Sequence, residues 1–271
     1  MIQDFMNYLK AIRGYSENTI QSYRKDLETF VRFMRANNPE ARWSNITRDD
    51  IDNFIMYQQQ RGLKPATTNR QISAISSLYR YFQRQGMIIV NPCQYESRRK
   101  LEQTLPTTIP VNHIKRAYDK SKGATKMMIG LIATTGIRIQ ELLDLTWGDI
   151  NWDEKTIRVK GKGAKERVLP LDECILSSLA SIKKYSRPEL KLFYIGQRQA
   201  RTMIYEALRP YSNSRQLSPH AIRHTFATEL AKNGENIATI AKVLGHNHIE
   251  TSQKYINMAE LPTPKRGISL T

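Results

Sequence analysis

Apolar residues recur at helical spacing through most of the first 86 positions, and that periodicity confines the opening third of the chain to a bundle of amphipathic helices. Ile2, Phe5, Met6, Leu9 and Ile12 form one apolar face; Ile20, Tyr23, Leu27, Phe30, Val31 and Met34 form a second, behind a capping serine at Ser16. A third face runs from Thr47 through Ile51, Phe54 and Ile55 to Gly62, and a fourth from near Thr67 through Ile72, Ile75, Leu78, Tyr79 and Phe82 to Gly86. Four such faces bury one another, so an all-α domain is expected over residues 1–96. Asn91-Pro92 ends the pattern, and SRRKLEQTLPTTIP, residues 97–110, is charged, proline-punctuated and aperiodic, as a linker would be. A second domain is expected over residues 111–271.

That second domain reads as α+β, which makes the chain as a whole mainly α. Helical patterns lie around Ile114 to Tyr118, from Met127 to Ala133 with a stop at Gly136, from Arg138 through IRIQELLDL, and around Ile175 to Ile182 and Ala200 to Leu208. Between Trp152 and Leu171 the period changes: KTIRVK and ERVLPL alternate, and GKGA joins them, which predicts a β-hairpin with Lys162 at its tip between two glycines. FYI, residues 193–195, is expected as one more short strand. The sequence GxxxxGK[ST] occurs nowhere, so ATP is not implied.

The formal net charge is +17, with a basic excess in both halves, and calls for a polyanion: DNA or RNA, with a membrane surface as the main rival. No apolar run approaches the roughly 20 residues of a membrane span, and MIQDFMNYLK lacks the pattern of a signal peptide, so a cytoplasmic protein is expected. Cys93 and Cys174 stand far apart and suggest neither a disulfide framework nor a zinc cluster.

Residues 217–255 concentrate the reactive groups. Ser218 caps a helix with Pro219 at its first position; His220 and Arg223 share one face, with His224 one turn from His220. Asn233-Gly234 closes that helix, a second ends at Gly245 beside His246, and a third carries Tyr255. His220 and His224 could be read as zinc ligands, but a metalloprotease helix needs Glu where Ala221 stands. A basic pair, histidines and one of 13 tyrosines on three consecutive helices instead describe an anion site with a nucleophile beside it. Arg138 lies among apolar residues, where a cation needs an anionic partner; Glu141, three residues on, is placed to orient it, unless the two form a plain surface pair. In the first domain Thr67, Asn69, Arg70, Ser73 and Arg80 line an exposed helix face suited to phosphates and base edges, or to water; Arg98, Arg99 and Lys100 of the linker suit a phosphate backbone, or a soluble tether.

HAIRH, LGH and a tyrosine nine residues after His246 resemble the tyrosine site-specific recombinases of the phage integrase family, and LSPHAIRHTFATEL is most similar to their bacterial Xer-like members. TGIRIQELLDLTWGDI resembles the segment with the family's first catalytic arginine, here Arg138, and KGKGAKER the hairpin with its lysine, here Lys162. The resemblance implies a SAM-like core-binding domain of four helices, then a catalytic domain containing Arg138, Lys162, His220, Arg223, His246 and the nucleophile Tyr255. It implies strand exchange through a Holliday junction by four protomers on two core sites of double-stranded DNA, with or without a partner recombinase. The chain begins at the four-helix domain, so no arm-binding domain is expected, and Pro262 and Pro264 restrict any docking of the C-terminal tail to a short or extended segment.

The chemistry follows from the residue types. Breaking a phosphodiester without metal or other cofactor needs charge on the non-bridging oxygens, a nucleophile and a proton for the leaving oxygen. Arg138 and Arg223 would supply the first, with His246 and His220 as further donors. Tyr255 would attack and form a 3′-phosphotyrosyl link; His220 would be its base and Lys162 the acid toward the 5′ oxygen. Three rivals stay open: a type IB topoisomerase-like nicking and resealing enzyme, a DNA-binding regulator with idle residues, and a metal hydrolase.

Overall fold

The computed structural model describes residues 1–94, 106–161, 165–183, 187–212, 214, 216–246 and 250–259. The chain forms two compact units, Met1–Gln103 and Thr104–Thr271. Among the described residues no helix is long and apolar enough to cross a membrane.

The first unit is a bundle of α1 (Ile2–Ala11), α2 (Glu17–Asn37), α3 (Arg48–Gln60) and α4 (Pro65–Arg84). Its boundaries are written in cap chemistry. The Ser16 side chain accepts from the Thr19 N–H at α2, Thr47 and Asp50 form a reciprocal capping box at α3, and Pro65 opens α4, where its missing N–H costs nothing. Phe5, Leu27, Phe30, Ile51, Phe54 and Leu78 are each fully buried in the shared core. Phe30 meets Phe54 edge-on at 5.1 Å, and the Tyr79 hydroxyl donates to the Trp43 carbonyl.

The second unit is built on α6 (Gly123–Thr135), nearly all apolar and buried on almost every side. Around it lie α5 (Val111–Lys120), α7 (Ile139–Asp144), α8 (Glu173–Lys183), α9 (Gln197–Leu208) and α10 (Pro219–Lys232). Gly130 admits this packing: a Cβ there would stand 2.3 Å from Ile175 Cδ1 and 2.8 Å from Tyr118 Cε2. Two further helices, α11 (Ile237–Leu244) and α12 (Glu250–Ala259), return against α10.

One antiparallel sheet, ordered β1 (Ile150–Asn151), β2 (Thr156–Lys160) and β3 (Glu166–Pro170), completes the unit. Its register pairs Ile157 with Leu169 and Val159 with Arg167, so those four side chains share the inner face. Two local expectations change. Residues 193–195 form no strand: Phe193 is buried in the core, and the nearest pairing is an isolated bridge between Thr146 and Lys191. Within the expected linker, Ile109 is fully buried in the core of the second unit, and its N–H donates to Thr225 Oγ1, which donates in turn to the Ile109 carbonyl.

Candidate active site

The C-terminus of α11 is where the site is assembled. A helix leaves its last four carbonyls without intrahelical partners. Here two are taken by the backbone of a left-handed turn: His246 N–H donates to the Ala241 carbonyl and Gly245 N–H, at φ +62°, to that of Lys242. The remaining two are taken by arginines from elsewhere in the chain. Arg167 Nε donates to the Val243 carbonyl at 2.9 Å and Arg223 Nη2 to the Leu244 carbonyl at 2.6 Å. A third arginine follows, since Arg138 Nη2 donates to the Gly245 carbonyl at 3.0 Å. Three consecutive carbonyls at the negative end of a helix thus draw in three guanidinium groups from β3, α10 and the start of α7.

Arg138 and Arg223 line a shared cavity of about 720 Å³ with His220, and α9 contributes Arg201 and Tyr205 to its wall. Glu141 contacts Arg138. Its carboxylate accepts from Arg138 Nη1 at 2.7 Å and from the Arg138 backbone N–H at 3.0 Å. Burial would raise the Glu141 carboxyl, but Arg167 and Arg138 outweigh it and hold it below the usual carboxylate range. Arg223 is different. It is 1% exposed, its Nη1 donates to the Gly136 carbonyl at 2.6 Å, and among the described residues no carboxylate pairs with it. Burial, then the charge of Arg138, lowers it to about 9. A buried cation of this kind on a cavity floor is suited to hold an anion.

Tyr255 lies on α12 and is 1% exposed. Its hydroxyl is 2.7 Å from His224 Nδ1, while the His246 ring stacks 6.3 Å from the phenol. The expected base, His220, packs edge-on against His224 at 4.4 Å, and His224 is the imidazole that touches the Tyr255 phenol. Burial raises the phenol to about 12, against the pull of Arg223 and Arg138. Burial also pushes His224 down to about 3, with His220 and Lys254 as the next causes, so both partners are neutral at pH 7. His246 falls to about 4 through burial and then Arg223. Arginine only donates, so the 3.3 Å contact of Arg223 Nη2 with His246 Nε2 leaves the ring proton on Nδ1, 2.8 Å from Ser252 Oγ. His246 therefore braces Arg223 here instead of offering a free N–H. The His220 ring, on the cavity wall, is lowered by partial desolvation and then by the charge of Arg223, although the residue as a whole keeps solvent exposure.

Lys162 lies outside the described residues, as do Arg98, Arg99 and Lys100. On α4, Arg70 pairs with the buried Asp26 of α2, whose carboxyl burial raises to about 6 against the effect of Arg70, so this arginine joins two helices. Ser73 donates back to the Asn69 carbonyl, Thr67 is half-buried, and Arg80 is exposed. The sequence gives no role to Arg167 or the exposed face of α9, and relates His224 only to His220. Among the described residues no group of three or more His, Cys, Asp and Glu side chains is arranged to hold a metal.

Gly136 shows how closely the floor is packed. At φ +63° it ends α6, and a Cβ there would fall 2.5 Å from Phe226 Cδ1. Gly136→Ala is expected to cost about 2–4 kcal/mol of stability from left-handed strain and overpacking together, read as a shift in urea midpoint.

Comparison with known proteins follows the same division of the chain. The model of the phage integrase family matches residues 108–261, and that of the phage integrase N-terminal SAM-like domain matches residues 2–86. Tyrosine recombinase XerC of Herpetosiphon aurantiacus is 31% identical over 277 residues, 95% of this chain and 90% of its own. Tyrosine recombinase XerD of Oceanobacillus iheyensis is 29% identical over 96% of this chain and 94% of its own. In fold, the chain resembles the XerH site-specific recombinase bound to palindromic difH substrate, with a TM-score of 0.76 at 20% identity, covering 96% of this chain and 82% of that one. It also resembles a lambda integrase dimer bound to a COC′ core site, with a TM-score of 0.74 at 17% identity over 99% and 98% of the two chains.

Proposed function

Because the chain belongs to the phage integrase family and is a Xer-like tyrosine recombinase, an enzyme of DNA strand transfer, we propose that it recombines double-stranded DNA through a 3′-phosphotyrosyl intermediate and a Holliday junction, using its own side chains alone. The observation that carries this reading is the buried Arg223, without a carboxylate partner, sharing a cavity with Arg138 while His246 links it toward the Tyr255 helix. A phosphate is the anion such a pair fits, and the relatives solved on DNA support DNA as its source.

In the proposed step, Arg138 and Arg223 hold the non-bridging oxygens and gain strength as charge builds toward the transition state. Tyr255 Oη attacks phosphorus, its proton passes to His224 Nδ1, and the 5′ oxygen leaves with a proton from Lys162. Since Tyr255 is only 1% exposed, α12 would have to shift to bring its hydroxyl to a phosphate. Reversal by a 5′-hydroxyl from a second duplex needs no added energy, because the ester conserves the broken bond. Four protomers on two sites, with or without a partner recombinase, would complete the exchange. Arg198, Arg201 and Thr202 on the exposed face of α9, together with Thr67, Asn69 and Arg80 of α4, are proposed to contact DNA, as are Arg98, Arg99 and Lys100.

The test is strand exchange between two duplexes carrying the core site, with EDTA present. Recombinant products through a four-way junction are the expected result, and affinity should fall steeply with salt. Relaxation of supercoils by monomers with no exchange would favour the topoisomerase-like alternative, and loss of activity in EDTA would favour a metal enzyme.

A further inference from the structure

Arg167 has no part in the chemistry described above, yet its Nε, Nη1 and Nη2 are all engaged in hydrogen bonds beside the site. It sits on β3 with a side chain only 10% exposed, in an inward slot opposite Val159 that strand alternation would reserve for an apolar residue. Burying a guanidinium there is unfavourable unless its donors are used, and they are. Nη2 donates to Glu141 Oε2 at 2.7 Å, Nη1 to Glu141 Oε1 at 3.3 Å, and Nε to the Val243 carbonyl at 2.9 Å. This two-pronged grip on a carboxylate is a geometry that lysine cannot reproduce.

The consequence lies in what Glu141 does next. The same Oε1 that receives Arg167 also receives Arg138 Nη1, and Oε2 also receives the Arg138 backbone N–H. One carboxylate thus stands between two arginines. Arg138 is 37% exposed on the cavity wall, whereas Arg167 is shut in behind it. Gly245 shows the tightness of the joint, since a Cβ there would lie 2.9 Å from Arg167 Nη1 and 3.6 Å from Arg138 Nη1. Without Arg167, Glu141 would be a buried carboxylate with Arg138 as its only cation, free to swing toward it and draw it off the wall.

We propose that Arg167 is a positioning residue for strand cleavage: by fixing Glu141 and the end of α11 from behind, it keeps Arg138 aimed into the cavity for a phosphate. This rests on the reading of Arg138 as a phosphate ligand, and the test separates the two. Covalent adduct formation is measured in single turnover for Arg167→Ala, Arg167→Lys and Arg138→Ala. Each is tested on a suicide substrate with a normal scissile phosphate and on one with a methylphosphonate, whose neutral centre makes less demand on the clamp. DNA affinity is measured alongside, and circular dichroism checks the fold.

Arg167→Ala is expected to lower the rate on the normal phosphate by about 100-fold, the scale of a small misplacement of a catalytic group, with affinity changed by less than about threefold. On the methylphosphonate its deficit should shrink to within about threefold, and in an Arg138→Ala background it should add little. Arg167→Lys, which keeps the charge without the fork, should fall between, and it serves as the decisive variant if the alanine protein does not fold. An equal deficit on both substrates, or none on either, would overturn the proposal. If Arg138→Ala cleaves the normal phosphate at the parent rate, the phosphate-ligand reading fails first, independently of Arg167.

Discussion

Tyr255→Phe is expected to bind core-site DNA like the parent protein and to form no covalent adduct on a suicide substrate. Removal of a covalent nucleophile costs upward of about 10⁴-fold, and phenylalanine has no oxygen to place at phosphorus. Size and apolar contact are conserved at a position 1% exposed, against Ala227, Ile240 and Leu244. Among the described residues, the hydrogen bond lost is that to His224 Nδ1, worth about 1 kcal/mol, so stability should barely move and the defect should be chemical. The readouts are adduct yield on denaturing gels and a binding isotherm on the same DNA. Adducts persisting in Tyr255→Phe would move the nucleophile to another side chain and leave the His224 contact as packing. His224→Ala provides an internal comparison: adducts should form more slowly while the phenol remains.

How much of this is written in the chain depends on distance along it. Caps and stops are local, so Ser16, Thr47, Pro65, Ser218 and Gly245 act as their residue types predict. The pair Arg138 and Glu141 is one helical turn and is equally legible, although its backbone hydrogen bond at the start of α7 was not. His224 was missed for the opposite reason: spacing on α10 relates it only to His220, and its partner arrives 31 residues later on α12. Arg167 left a fainter signal. In KTIRVK and ERVLPL, parity puts Ile157, Val159 and Leu169 inward, and the same parity puts Arg167 inward and leaves Val168 61% exposed. An arginine in an apolar slot is a buried charge in search of a carboxylate, and only the folded chain supplies Glu141. Arg70 shows the same limit, because its helix face is polar and gives no hint of Asp26 on α2, which pairs with it while the arginine side chain stays 44% exposed.

Arg223→Met separates what the site needs from what the fold needs. Methionine fills much of the same volume without charge, so two opposing effects are expected. The Gly136 and Leu244 carbonyls lose their donor, at about 1–3 kcal/mol each for a buried unsatisfied group. Against this, a cation without a carboxylate partner is removed from the interior, which relieves a desolvation penalty of several kcal/mol. The two nearly cancel, and the urea midpoint should shift by no more than about 2 kcal/mol equivalent, in either direction. Cleavage has no such compensation: a preorganised donor aimed at developing charge is lost, and adduct formation should drop by about 10²–10³-fold. Anion binding gives the third readout. Core-site DNA stabilises whatever binds it, so it should raise the melting temperature of the parent more than that of Arg223→Met. Equal stabilisation by DNA, with cleavage within tenfold of the parent, would remove Arg223 from the phosphate clamp and reduce it to a strap between α10 and the ends of α6 and α11.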